Sequence, residues 1–390
     1  MGWSSTASTT ESPYDAGVTV VSEPAVREAL VHVIDPELRK SVVEIGMVGE
    51  IAIDGGAVAV EIVLTTPGCP LKQNLESQVR THVGAVAGVE RVSVSFGHMS
   101  DEQRAALRIQ LHGDRPEGEK TLSVDPRTRV IAVASGKGGV GKSSLAVNLA
   151  LALRARGAEV GLADADIYGY SIPGMLGISQ RPIVVDRMIV PPVAHDLKVM
   201  SIGFFLEDGG SVVWRGPMLH RALEQFLSDV YWGPLDYLII DMPPGTGDVG
   251  LSLGQLLPRA EAVLVTTPQA AAQRVAERAA AMVEKLGQPL IGVIENMSYY
   301  LCPVSGARST PFGEGGGREL AEKLGVPLLG SVPLEPALRE GSDVGLPVVL
   351  SHPASASAVA IRSIAEAIDG TAPVRARPAA VRSPLAVIPA

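Results

Sequence analysis

At 390 residues, 46% apolar and 19% charged, the chain has room for two or three globular domains with sizeable cores. Its net charge of −9 excludes a broad nucleic-acid-binding surface, and no apolar run reaches the roughly 18 residues of a membrane-spanning helix. Residues 1–21 open without the charged-then-apolar layout of a signal peptide and read as a disordered tail, which implies a cytoplasmic, reducing compartment. The two cysteines, Cys69 and Cys302, are therefore expected as separate thiols.

Residues 22–110 read as a small α/β domain. A helix is expected over 24–34, stopped by Asp35-Pro36-Glu37. Strands over 42–53 and 57–66 follow, joined by the turn Asp54-Gly55-Gly56. The run from Thr65 to Lys72 opens a helix to about Val83, and residues 89–96 close the unit as a third strand. Polar, Pro-containing residues 111–127 read as a linker. From residue 128 to 370, strands and helices alternate. Strands are expected at 130–135, 159–163, 197–201, 237–241, 262–266, 290–295 and 328–331, most of them continuously apolar. That pattern predicts a doubly wound α/β domain with a mostly parallel sheet and its chemistry at the carboxyl ends of the strands. Residues 371–390 read as a second disordered tail, and the histidines show no metal-ligand spacing.

The first of these strands runs into Gly136-Lys137-Gly138-Gly139-Val140-Gly141-Lys142-Ser143, followed by Ser144 and a helix. G-x-x-x-x-G-K-[ST] between strand and helix is a phosphate-binding loop. Glycines let backbone N–H groups turn inward, and the helix N-terminus adds a positive end. Gly136 to Ser144 thus forms the candidate ATP site of a P-loop NTPase, with Lys142 on the β- and γ-phosphates and Ser143 on Mg²⁺. Asp164 and Asp166, on alternate residues at a strand end, are expected on one face beside this loop. One would hold metal-bound water and the other orient the attacking water. Asp241 ends an apolar strand and is expected to accept from a Mg²⁺-bound water. Gly245 follows in Met242-Pro243-Pro244-Gly245 as a switch whose N–H reads the γ-phosphate.

Lys137, directly after the first glycine, marks the deviant Walker A group and resembles MinD, ParA and nitrogenase iron protein. In that group the extra lysine crosses a homodimer interface to the partner's nucleotide. The runs Asp241 to Asp248, Trp214-Arg215-Gly216-Pro217, Thr266-Thr267-Pro268-Gln269 and Glu295-Asn296-Met297-Ser298 sharpen this to a resemblance to the Mrp family of iron–sulfur carrier ATPases over about 130–370. Asp35-Pro36-Glu37 and Leu64 to Pro70 resemble the small iron–sulfur-assembly domain often fused ahead of it. The resemblance implies a homodimer, ATP hydrolysis, and delivery of an iron–sulfur cluster to apo-proteins alongside assembly machinery, without nucleic acid or membrane. It makes Asp166 the water-positioning residue and Asn296 the residue that reads the adenine edge.

The sequence departs from that family where a Cys-x-x-Cys pair is common. Cys302 is present, but Ser305 stands in the second position, so a symmetric dimer offers two thiolates there. Cys69 reads as a reactive thiol at a helix N-terminus, with Lys72 one turn on. Two rival expectations remain: a MinD- or ParA-like positioning ATPase, and a cluster-free ATP-switched scaffold.

Overall fold

The computed structural model describes residues 20–66, 71–113, 123–167, 169–205, 216–245, 248–302 and 304–371. Both expected disordered tails, most of the expected linker, Cys69, and Trp214-Arg215 lie wholly or mainly outside them. The chain divides into two compact units, one from residues up to 117 with Val184–Met188, the other from the rest.

In the first unit, α1 (Glu23–Leu30) precedes a three-stranded sheet of β1 (Val48–Asp54), β2 (Ala57–Leu64) and β3 (Arg91–His98). Strands β1 and β2 form an antiparallel hairpin, and β3 runs parallel to β2 after the crossover helix α2 (Lys72–Gly84). Helix α1 buries Val26 and Leu30, α2 buries Leu75, Val79 and Val83, and β2 buries Val58, Val60 and Ile62. The first strand begins later than the apolar run predicts, because residues 42–47 coil into a turn. Ile45 N–H donates to Ser41 O at 3.1 Å, Met47 N–H to Val42 O at 2.8 Å, and Gly46 takes φ 68°. Helix α3 (Asp101–His112) occupies residues where the sequence reading placed no element. Its start is fixed by a reciprocal capping box between Ser100 and Gln103.

In the second unit, the chain order is β4 (Arg129–Ser135), α4 (Lys142–Ala155), β5 (Val160–Asp164), β6 (Leu197–Ser201), α5 (Gly216–Ser228), β7 (Tyr237–Asp241), α6 (Asp248–Leu256), β8 (Glu261–Thr266), α7 (Ala270–Lys285), β9 (Leu290–Leu301), α8 (Gly316–Leu324), β10 (Leu328–Leu334) and α9 (Ala356–Gly370). The sheet order β6-β5-β7-β4-β8-β9-β10 is parallel throughout, with short antiparallel strands at Val193–Ala194 and Arg308–Ser309. All seven expected strands are present, and the doubly wound fold follows from them.

Alternate residues of the central strand serve the two faces. Ile131 and Val133 join the core beneath α4 and α9, whereas Val130 and Ala132 join the core beneath α5 and α6. Burial on both faces is why these strands read as unbroken apolar runs. Ile361, Ile364 and Ile368 form the stripe of α9 that covers the sheet, each such buried side chain contributing about 1.5–3 kcal/mol. The register sets Asp241 level with both Val133 and Asp164. The carboxyl ends of β4, β5 and β7 therefore bring the glycine loop and two aspartates to one edge of the sheet.

Candidate functional site

The loop after β4 is shaped by two glycine positions that admit nothing larger. A Cβ on Gly136 would lie 2.3 Å from the Val275 carbonyl carbon, so the loop runs against the backbone of α7. Gly141 takes φ 80°, and a Cβ there would lie 2.2 Å from Asn296 Nδ2. Gly139, at φ 77°, makes the turn between them, with Gly138 exposed beside it. Helix α4 then starts at Lys142 from the left-handed Gly141.

Four chemically active side chains meet at the start of α4. Lys142 is buried, and its Nζ donates to Asp241 Oδ1 at 2.6 Å and lies 3.8 Å from Asp166 Oδ2. Ser143 Oγ donates to Asp241 Oδ2 at 2.6 Å. Ser144 lies one residue further along α4, its carbonyl accepting from Asn148 Nδ2. Burial pushes the Asp241 carboxyl up, Lys142 and Ser143 pull it down, and the Asp166 charge adds to the rise, leaving it above the ordinary carboxylate value. One lysine ammonium and one seryl hydroxyl thus converge on a carboxylate at the mouth of a backbone cradle. An ammonium and a hydroxyl so placed have the chemistry to hold phosphate and a hard cation.

The expected pairing of Asp164 and Asp166 rests on different partners for each carboxylate. Strand β5 ends at Asp164, so pleat alternation no longer governs Asp166. Asp166 reaches toward Lys142 and accepts from Gly169 N–H at 3.1 Å. Asp164 is fully buried. Its carboxylate accepts from Ser201 Oγ at 3.0 Å and from the N–H groups of Asp166, Ser171 and Ile172. Desolvation, with the nearby Asp241 charge second, raises its pKa to about 7. Its hydrogen bonds organise the Asp166-bearing loop. Ser201, absent from the sequence-derived site, is the polar residue that ends the apolar strand β6, and that position was the available signal.

Two expected phosphate contacts have protein partners. Gly245 N–H donates to Ser135 O at 2.9 Å, which fastens the switch segment to β4. Lys137 Nζ donates to Gln269 Oε1 of the same chain at 3.3 Å, and Gln269 Oε1 also accepts from Thr267 Oγ1 at 2.8 Å. Asn296 lies against the loop. Its Nδ2 donates to Val140 O at 2.8 Å, while its Oδ1 is buried without a hydrogen-bond partner.

The strand that carries Asn296 also carries the thiol. Beyond Asn296, β9 continues to Leu301 and pairs with Arg308–Ser309, so Cys302 begins the tip of a hairpin. Cys302 N–H donates to Ala307 O at 3.0 Å, and Gly306 N–H donates to Cys302 O at 2.8 Å. The thiol is free and half-buried. The Ser305 hydroxyl, followed by the N–H groups of Ser305 and Val304, hydrogen-bonds the sulfur and lowers its pKa below the ordinary thiol value. Ser305, which stands where the family's second cysteine is common, thus acts on the Cys302 thiol. Among the described residues, no group of three or more His, Cys, Asp or Glu side chains could hold a metal.

This geometry agrees with known proteins. The family described as NUBPL iron-transfer P-loop NTPase matches residues 127–369, and the family described as iron-sulfur cluster assembly protein matches residues 23–96. The iron-sulfur cluster carrier protein of Mycobacterium tuberculosis is 53% identical over 352 residues, covering 88% of this chain and 92% of that protein. The protein of the same name from Synechocystis is 46% identical, covering 89% and 96%. A nucleotide-binding protein from Archaeoglobus fulgidus in complex with ADP superposes with a TM-score of 0.51 at 36% identity, covering 63% of this chain and 91% of that one. The chain belongs to the NUBPL iron-transfer P-loop NTPase family, with an iron–sulfur cluster assembly domain ahead of it.

Proposed function

We propose that the protein is an ATP-hydrolysing iron–sulfur cluster carrier, working as a homodimer that hands clusters from assembly machinery to apo-proteins in the cytoplasm. The observation that carries this reading is the course of β9, which is bonded to the phosphate loop at Asn296 and leads directly into Cys302. The family match and the carrier relatives support it.

ATP phosphates fit the loop from Gly136 to Ser144, where Lys142 trades Asp241 for phosphate oxygens. Ser143 Oγ would ligate Mg²⁺, and the Asp241 carboxylate, 2.6 Å from that hydroxyl, would accept from a Mg²⁺-bound water. Mg²⁺ held there would neutralise phosphate charge. Asp166 orients the water that attacks the γ-phosphorus, and ADP leaves. The partnerless Asn296 Oδ1 accepts from the exocyclic amine of adenine. Lys137 leaves Gln269 and reaches the partner's nucleotide when two copies close. The cluster is cargo held at the dimer's two Cys302 thiolates, with the remaining ligands supplied from outside that pair. Hydrolysis opens and closes the dimer around it.

Neither rival expectation has such an observation behind it. The carrier reading is tested by loading the protein with a radiolabelled iron cluster and following its transfer to an apo-ferredoxin with and without ATP. Transfer that depends on ATP and on Cys302 supports the reading, and transfer indifferent to both refutes it.

A further inference from the structure

Among the described residues, Arg39, Asp186, Arg187, His195, Asp196 and Met297 have a positive φ without being glycine. The first five lie in tight turns between short paired strands, where that conformation reverses the chain. Met297, at φ 55°, lies inside a long strand. A left-handed backbone is disfavoured for a long side chain and persists only where its surroundings impose it.

Those surroundings are specific. On one side, Asn296 is bonded to Val140 O of the phosphate loop. On the other, Ser298 Oγ donates to Val332 O of β10 at 3.0 Å. Between the two anchors β9 slips against β10: Asn296 pairs with Val332 and Tyr300 with Leu334, so β9 advances four residues while β10 advances two. A Cβ on Gly141 would lie 2.2 Å from Asn296 Nδ2, so Asn296 packs directly on the glycine that starts α4, and the Met297 side chain lies beside it, 3.9 Å from the same point. Five residues further, at most about 16 Å along an extended strand, stands Cys302.

We propose that Met297 is a strained positioning residue that transmits the nucleotide state of the phosphate loop to the Cys302 hairpin. This rests on the nucleotide-driven reading above, but it concerns the thiol and needs no cluster. Movement of Val140 and Gly141 as phosphate binds pulls on Asn296. A joint already off its preferred conformation passes that displacement along β9, where a relaxed joint would absorb it.

The test uses the full chain carrying Cys69→Ser, which leaves Cys302 as its one thiol. Its alkylation rate by iodoacetamide is measured with ADP and with a non-hydrolysable ATP analogue, and nucleotide binding is measured alongside. The rates are expected to differ by at least about fivefold, the lower end of ordinary site-to-site coupling. Met297→Gly, which accepts a positive φ without strain, is expected to bind both nucleotides and bring the ratio within about twofold. Met297→Ala keeps the backbone restriction and is expected to retain most of the difference.

No nucleotide effect in the parent overturns the proposal and leaves the carrier reading to iron binding. A full effect in Met297→Gly overturns it, as does a loss in Met297→Ala equal to that in Met297→Gly. Failure of Met297→Gly to bind nucleotide also overturns it, by making Met297 part of the nucleotide site.

Discussion

Asn296 Nδ2 donates to the carbonyl of Val140 at 2.8 Å, across 156 positions of sequence, and ties the strand that ends in Cys302 to the loop that cradles phosphate. The bond is buried, and the other end of the same amide has no partner. A residue quoted from the sequence for base recognition is therefore also a fastening between the two halves of the site.

The Lys142 ammonium is buried against Asp241 and Asp166. Lys142→Ala is expected to abolish ATP hydrolysis and to leave a buried carboxylate without its cation. Removing one member of such a pair costs about 3 kcal/mol or more, a fall of roughly 6–12 °C in melting temperature for a domain of this size. Calorimetry and a phosphate-release assay check both halves of the expectation. Unchanged turnover would contradict the assignment of the loop.

Lys137→Ala should leave folding and basal nucleotide binding intact while lowering hydrolysis, since the side chain is half-buried and bonded only to Gln269 among the described contacts. Asp166→Ala removes the water-positioning carboxylate. Mixing the two variants should restore part of the activity if each site draws its lysine from the partner. No rescue at any mixing ratio would place Lys137 in its own chain's site or outside catalysis.

Most of the fold was legible because double-sided burial leaves a mark that needs no partner to interpret. Most strands between Ile131 and Val332 are apolar along their length, and glycines punctuate the loops. Helix α3 was equally legible in principle, since Ser100 and Gln103 spell a capping box. The site was legible in composition but not in wiring. Strand alternation put Asp164 and Asp166 on one face, but β5 ends at Asp164, and what Asp166 reaches depends on the turn that follows. The Ser201 bond to Asp164 left only the trace of a polar residue ending β6, and the Ser305 contact with Cys302 has no local signal, because it is made by a chain reversal. The positive φ of Met297 likewise belongs to tertiary context, since nothing in Glu295-Asn296-Met297-Ser298 requests it.

The raised pKa of Asp164 gives a stability profile with a definite sign. Burial and the Asp241 charge lift it from 3.8 to about 7, so the folded state holds this proton more tightly than the unfolded chain does. Its contribution is fully present below about pH 4 and is lost as pH rises through about 7, by at most about 4 kcal/mol. Asp164→Asn removes the titration. The stability of wild type relative to this variant should therefore decline between about pH 4 and 7 and level off above that range in urea unfolding. A constant difference across the window would contradict it.

Ser305 lowers the pKa of the Cys302 thiol through its hydroxyl and its N–H. Ser305→Ala keeps the N–H and removes the hydroxyl, so the pH profile of Cys302 alkylation should move to higher pH, with slower reaction at neutral pH. A profile identical to that of wild type would show that the hydroxyl does not act on the sulfur.

The central claim is that Cys302 holds a cluster between two copies of the chain, and the direct measurement is anaerobic reconstitution with iron and sulfide, with iron counted per dimer. Wild type should bind a chromophoric but labile cluster, easily stripped by chelator, because two thiolates leave positions that exchange. Cys302→Ser should bind none, and Cys69→Ser should bind as wild type does unless that domain supplies the missing ligands. Ser305→Cys should bind more iron and hold it against chelator. If wild type takes up no iron under any reducing condition and Ser305→Cys does not change that, the chain is not a cluster carrier, and the ATP-switched scaffold becomes the better account.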